Sequence, residues 1–457
     1  MNPNPINTIL LQPTDVLFFR DGRPMEGSLA GHGAAWPLPN VTDAAFHAAL
    51  HRSGLNGHAH DQRRHAERHG KDSRRFGSLV SAGPFPVRMD RKDAVWFFPR
   101  PLDLQDASLK PALLPTAAFD SAHSSLAEPL EYAVANGLPP TKDNRAKAWL
   151  SGAAFQRYLD GSTASLPEAE ACDDAAFGDA EATVGIAIDA ETGTTGQGEA
   201  AGKIYSARYL RLRDDWRLGT LAKTEEKIGT AGRDDLIRDL LDREGQMLVG
   251  GQQRLCTATR CPVSSLPLPR GRTGGFAVQE SGGRKRWHVK WILLSPAIWP
   301  AIPAESQDGR PMTPHGGGWL PNWVRQSDGQ VMLRAGERQR RSYGGKHTRG
   351  FSQGSQEIAA KLVAALVPKP VPVTGWALAN GTDRTEGGAK STHLAVPAGA
   401  VYYFEAESDE AAQNLAAALN WQGDAPDAMN IKNRRSTLMG EKGFGLGVCG
   451  TWKFFGT

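Results

Sequence analysis

Gly440-Glu-Lys-Gly-Phe-Gly-Leu-Gly-Val-Cys-Gly450 is the stretch on which the fold class turns. Gly445, Gly447 and Gly450 stand in it as G-x-G-x-x-G. A dinucleotide-binding α/β fold needs that turn to follow a strand and open a helix, with an acidic residue some 20 positions on. Only Thr-Trp-Lys-Phe-Phe-Gly-Thr, residues 451–457, follows here. The context is wrong for a nucleotide-dependent enzyme: a helix after Gly450 would restore that reading, a strand would end it. What remains is backbone with few side chains, between Lys442 and Lys453. Two readings fit it equally. A phosphodiester can approach such a loop closely and accept its backbone N–H groups. Alternatively, it is a tight turn packed under another element.

Away from this run the pattern is strand-rich. Residues 6–19 read as strand, Pro-Thr turn and strand, followed by a polar Gly-rich loop, Arg20 to Gly33. Asn40 is a candidate N-cap for a helix over Val41–His51, where Val41, Ala44, Ala45, Ala48 and Ala49 recur at helical spacing. Thr183–Ile188 and Ile204–Leu212 alternate as strands around a Gly/Thr-rich link, which predicts an extended hairpin. A helix over Arg233–Arg243 and a strand at Met247–Val249 complete the order strand, helix, hairpin, helix, strand. That is β-α-β-β-α-β, the ferredoxin-like (RRM-like) order. The second half reads as a weaker copy: strands at Trp287–Leu294, Val371–Leu378 and Val401–Phe404, a helix over Glu407–Leu419, and a glycine-rich strand over Gly443–Phe455. The expectation is therefore an α+β protein of two ferredoxin-like domains. The first covers residues 1–275 with an insertion at about 52–180; the second covers 276–457 with an insertion at about 305–355 and a C-terminal glycine-rich loop.

Composition agrees with many turns and short strands. Among 457 residues there are 51 Gly and 30 Pro, both above ordinary usage. The net charge of +4 hides local asymmetry. Residues 52–75 carry Arg52, Arg63, Arg64, Arg68, Lys71, Arg74 and Arg75, whereas 161–199 have acids and no Lys or Arg. Both read as solvated insertions. Four cysteines are too few for a disulfide scaffold of this size and point to a reducing compartment. The N-terminus lacks a charged n-region and no stretch approaches 18 apolar residues, so the expected location is cytoplasmic.

Three further constellations bear on chemistry. In Arg20-Asp21-Gly22-Arg23-Pro24 two arginines flank a turn directly after a strand, suited to gripping phosphates or to pairing with Asp21 on the surface. In Met332–Gly350, Arg334, Arg338, Arg340, Arg341, Lys346 and Arg349 are interleaved with Tyr343 and His347, with Phe351 just beyond. Backbone charge plus stacking faces suits single-stranded nucleic acid. Half of the 12 histidines fall between His47 and His69. Neither these nor the Cys256/Cys261 pair completes a metal-ligand signature, and no G-x-S-x-G or Walker A motif is present. No catalytic residue, metal or cofactor is assigned.

Several phrases in order carry a resemblance. LQPTDVLFFRDGRP and WPLPNVTDAAFHAAL open the chain; FGSLVSAGPFPV, WFFPRPLDL, VGIAID…IYSARYLRLR and LVGGQQR follow; WLPNW, GWAL, VPAGAVYYFEA and KGFGLGVCGTW close it. The set resembles subunit three of the type III-B CRISPR (Cmr) effector complex, a RAMP-superfamily protein. The resemblance covers most of the chain; 103–180 and 305–355 match poorly. It implies two ferredoxin-like domains and a non-catalytic role in antiviral defence. The implied partners are the repeat-derived 5′ tag of the crRNA, the large polymerase/cyclase-like subunit and the backbone RAMP subunits, with no membrane and no small-molecule substrate. Carried over by position, the tag-binding candidates are Arg20, Arg23, Arg254, Lys442, Gly443, Phe444, Gly445 and Gly447, beside Arg338, Arg340, Arg341 and Lys346 from composition. The rivals are a RAMP-family endoribonuclease that processes repeat RNA, and the tag-binding subunit of a type III-A or III-D complex.

Overall fold

The computed structural model describes residues 6–456 apart from 21, 23–28, 31–33, 54–78, 92, 118–125, 138–145, 187, 190, 196–203, 225, 229–231, 244, 282, 306–310, 337–355, 378–387 and 426–428. Among the described residues the chain is mixed α+β, rich in antiparallel strands and poor in helices. The first half contains β1 (Asn7–Pro13), β2 (Leu17–Phe18), α1 (Pro39–Arg52), β3 (Val80–Asp90), β4 (Asp93–Pro99), β5 (Trp149–Ser151), α2 (Gly152–Leu159), β6 (Ala171–Cys172), β7 (Gly178–Ile186), β8 (Ile204–Leu212), β9 (Trp216–Lys223), α3 (Leu236–Arg243), β10 (Gln246–Leu248) and β11 (Leu255–Arg260). The second half contains β12 (Ala277–Ser281), β13 (Arg284–Leu293), β14 (Ala360–Leu366), β15 (Val401–Ala406), α4 (Asp409–Leu419) and β16 (Gly447–Thr451).

The large sheet runs β10-β11-β1-β9-β3-β4-β5-β6; the second runs β12-β13-β15-β14, with β16 also paired to β13. Strand periodicity explains how they stack. Along β1, Ile9 and Leu11 join Phe46 and Leu50 of α1 and Ile237 and Leu240 of α3 in one cluster, whereas Leu10 faces the other way. Along β15, Tyr402 and Phe404 pack with Leu415 and Leu419 of α4, while Val401 and Tyr403 turn to the cluster that holds Leu10, Phe85 and Leu221. Helices α1, α3 and α4 thus cover outer faces, and a shared core, which also takes in α2, lies between the two sheets. Across it, the buried Lys290 of β13 bonds Asp103 (2.7 Å) and Tyr158 of α2 (2.6 Å).

Several expectations change. The 183–212 hairpin forms, as β7 and β8, but it pairs with β2 and stands outside the large sheet. The strands beside β1 and β9 are instead β11 and β3, and β3 lies within the range expected as an insertion. Helix α1 starts at Pro39, with Leu38 and not Asn40 at its N-cap. Proline suits a first helical position because no intrahelical partner exists there for an N–H.

Candidate nucleic-acid interface

The residues Gly250-Gly251-Gln252-Gln253-Arg254 form a tight turn between β10 and β11, seated on β2. The Gly251 amide donates to the Phe18 carbonyl at 2.9 Å. A Cβ at Gly250 would come within 2.6 Å of that carbonyl, and one at Gly251 within 2.7 Å of the Phe18 ring, so bare backbone is required at both. Gln252 and Gln253 then both take left-handed φ, 55° and 52°, an uncommon pair for side chains with a Cβ. The turn aims Arg254 across β8: its guanidinium sits 5.1 Å from the Tyr209 ring centroid, and Tyr209 lies 5.4 Å from the Phe18 ring. The Gln252 Oε1 accepts from the Tyr209 hydroxyl (3.0 Å) and from Arg254 (3.2 Å), locking both.

The electrostatics are partly compensated. Asp15 lies 3.7 Å from Arg254 and 2.8 Å from Arg211, and Arg211 also bonds Glu181. The hydrogen bond from Arg211 holds the Asp15 carboxyl below its ordinary range. Arg208, next to Tyr209, is exposed and has no ion-pair partner among the described residues. Arg20 is exposed just past β2. The surface thus joins Arg254 to a Phe18–Tyr209 platform, with Arg20 two residues beyond Phe18, a combination suited to a phosphate backbone with an unstacked base; Arg208 falls on the opposite face of β8 from Tyr209. Arg20 and Arg254 were expected from the sequence. Tyr209 and Phe18 were not, although Tyr209 stands in the alternating IYSARYLRL run.

The terminal glycines are placed differently. A strand, β16, covers Gly447–Thr451 and no helix follows it among the described residues, which ends the nucleotide-enzyme reading. Gly443 has φ +95°, and a Cβ there would fall 2.8 Å from the Ala82 Cα on β3. At Gly445 it would fall 2.1 Å from the Ser436 amide, and at Gly447 2.2 Å from the Trp291 Nε1. The loop amides are spent internally: Gly443 donates to Gly440, Phe444 to Met439 and Gly445 to Pro296. Phe444 is wholly buried with Ile298, Val373 and Ala395. Of the two readings open at the sequence level, the packed turn is the arrangement found. Lys442 at its edge lies 3.8 Å from the buried Asp43 carboxylate.

Arg23, Arg338, Arg340, Arg341 and Lys346 lie outside the described residues, as do His58, His60, His65 and His69. Among the described residues no group of three His, Cys, Asp or Glu side chains could hold a metal ion. Cys256 and Cys261 are both free thiols.

A family model described as CRISPR-associated protein (Cas_Cmr3) matches residues 9–452. This chain belongs to the Cas_Cmr3 family. The ordered phrases from LQPTDVLFFRDGRP to KGFGLGVCGTW thus carry a true family signal, and the Cas_Cmr3 match spans both sheets. No curated protein matches the sequence. Among solved structures, a chain of "Cryo-EM structure of the Type III-B Cmr-beta bound to cognate target RNA" is similar at 14% identity with a TM-score of 0.33, covering 87% of this chain and 86% of that one. A second, from the same complex bound to cognate target RNA and AMPPnP, has 13% identity, the same TM-score of 0.33 and the same coverage of 87% and 86%. Among the described residues no helix is long and apolar enough to cross a membrane.

Proposed function

We propose that this Cas_Cmr3 member is a non-catalytic, cytoplasmic RNA-binding subunit of a type III-B CRISPR ribonucleoprotein. It holds the repeat-derived 5′ tag of the crRNA and docks the large polymerase/cyclase-like subunit and a backbone RAMP subunit. The family match over residues 9–452 is the observation that carries this reading. The turn at Gly250–Arg254 supports it locally: Arg254 stacked on Tyr209, with Arg20 two residues beyond Phe18, offers phosphate contacts and a stacking face together. Arg23, Arg338, Arg340, Arg341 and Lys346 are further RNA-contact candidates read from the sequence. The glycines and Phe444 of the terminal run support the fold, and Lys442 at its edge is a further RNA-contact candidate.

The sheet order supports a ferredoxin-like ancestry for each half, residues 1–275 and 276–457. In β11-β1-β9-β3 the four strands stand in the spatial order fourth, first, third, second, and in β16-β13-β15-β14 they do so again. In the second half no helix lies between β13 and β14 among the described residues.

The test is binding of crRNA with and without its tag to Arg20→Ala, Arg23→Ala and Arg254→Ala. Each should weaken tag-containing RNA more than tag-less RNA and lower the salt slope by about 1 for each phosphate left without its arginine. Equal weakening for both RNAs would refute tag recognition by these residues and leave only general charge.

A further inference from the structure

The C-terminal segment, the 106–114 loop and the turn at Gly137 enclose a second cleft, of about 620 Å³. This lies in the size range of sites for small ligands. Its wall is aromatic: Trp452 and Phe454 are buried and cross edge-on with centroids 5.1 Å apart. Phe455 stands at the rim, 42% exposed, yet fixed in place. Its amide donates to the Pro115 carbonyl at 2.8 Å. Its ring lies over Gly137, where a Cβ would come within 2.9 Å of it. An aromatic face fixed at the rim of an apolar cleft is a surface on which a base can stack. Lys110 and Lys453 also line the cleft and are exposed, and among the described residues neither ammonium has an ion-pair partner. The one carboxylate in the lining, Asp106, is partly engaged, since its Oδ1 accepts from the Ser108 amide (3.0 Å) and hydroxyl (2.7 Å).

An apolar wall, a fixed open ring and two such cations call for a ligand with a flat body and an anionic group. We propose that this cleft binds a single nucleotide, its base stacked on Phe455 and its phosphate between Lys110 and Lys453. The shared chemistry is that of a nucleoside monophosphate, either free or as one residue of a single-stranded RNA. An apolar side chain of a partner protein would leave both lysines without a role, and an acidic peptide would leave the ring without one. The cleft shares no residue with the Gly250–Arg254 turn, so the proposal goes beyond the reading of that surface and stands apart from it.

Equilibrium dialysis of the full chain with radiolabelled AMP and UMP tests this. Saturable binding in the millimolar range or tighter is expected. Phe455→Ala should weaken it about tenfold, within the range for removal of one base–aromatic stack, and the double change Lys110→Glu with Lys453→Glu should abolish it. All three positions are exposed, so melting temperatures should stay at the parent value. Displacement of AMP by unlabelled single-stranded RNA would assign the site to a nucleotide within a strand. RNA binding without displacement would assign it to a free nucleotide. The proposal is overturned if neither AMP nor UMP binds, if Phe455→Ala binds as the parent does, or if Arg254→Ala removes the binding. It is equally overturned if Phe455 is covered by a partner protein in the assembled complex while nucleotide binding is absent.

Discussion

Changing Asp103 to Asn removes one charge from the core between the two sheets and little volume. In the parent, the Lys290 ammonium bonds the Asp103 Oδ2 at 2.7 Å and the Tyr158 hydroxyl at 2.6 Å, with 3% and 0% exposure of the two charged side chains. Burial already pushes Lys290 below the ordinary lysine range, and only the Asp103 carboxylate opposes it. Without that carboxylate the ammonium is stranded, and breaking a buried pair costs about 3–5 kcal/mol. The amine has one escape, which is to lose its proton. From an ordinary pKa of about 10.4, neutralising it at pH 7 costs about 4.6 kcal/mol, which caps the penalty; at pH 9 the cap falls to about 2 kcal/mol. The unfolded chain then binds more protons than the native one, so stability of the variant rises with pH over this interval. Denaturation of Asp103→Asn should therefore show a destabilisation of about 3–4 kcal/mol at pH 7 and about 2 at pH 9, relative to the parent at each pH. The double variant Asp103→Leu/Lys290→Met, which removes both charges, should regain part of it, the remainder being the cost of the Tyr158 hydroxyl left without its two partners. A destabilisation under about 1 kcal/mol at pH 7, an equal one at both pH values, or a double variant worse than the single one would refute the reasoning.

Two more outcomes follow from buried groups. His288 stacks on Trp452 at 3.8 Å, and burial lowers its pKa to about 4. The Glu405 carboxylate 3.7 Å away does not reverse this, because burial pushes Glu405 upward too. A depressed histidine costs the native state stability as pH falls from about 6.5 toward 4, here by about 2–3 kcal/mol; His288→Phe, which keeps the stack, should flatten the melting profile over that window, and an unchanged slope would count against it. Gly443→Ala should destabilise by about 2 kcal/mol or more, since it combines left-handed backbone with a Cβ aimed at the Ala82 Cα 2.8 Å away; a melting temperature equal to the parent's would contradict the packing described.

How much of this was legible in the sequence depends on what each strand packs against. Trp287–Leu294 and Val401–Phe404 could be read as short, mainly apolar runs, which fits their burial on both faces, and Glu407–Leu419 because its apolar positions match one helical period. The hairpin at 183–212 was legible as a hairpin and misplaced in the sheet, because clean alternation signals a strand without saying which neighbours it has. The true inner strands hid behind breakers. β3 is buried along most of its length yet contains Gly83, Pro84 and Pro86, and β9 contains Gly219. Such residues usually argue against a central strand. At Gly219 the reason is packing, since a Cβ would meet Val87 at 2.4 Å and Trp96 at 2.5 Å. The site shows the same limit. Arg254 was marked by its position after two glycines, whereas Tyr209 and Phe18 became its partners only because the turn is seated on β2.

The terminal glycine run draws these points together. Its residues touch both halves of the chain: Gly443 lies on Ser81 and Ala82 of β3, and Gly447 lies on Trp291 of β13. A side chain at Gly443 would push against β3 of the other half, and one at Gly447 would displace Trp291 within the second sheet. Glycine is therefore demanded by protein against protein, which has a functional consequence. Substitutions in Gly443–Gly447 should lower the folded fraction in step with any fall in RNA binding, whereas Arg20→Ala and Arg254→Ala should lower binding while the chain stays folded. If a glycine variant kept its full melting temperature and still failed to bind RNA, the loop would touch the nucleic acid directly after all.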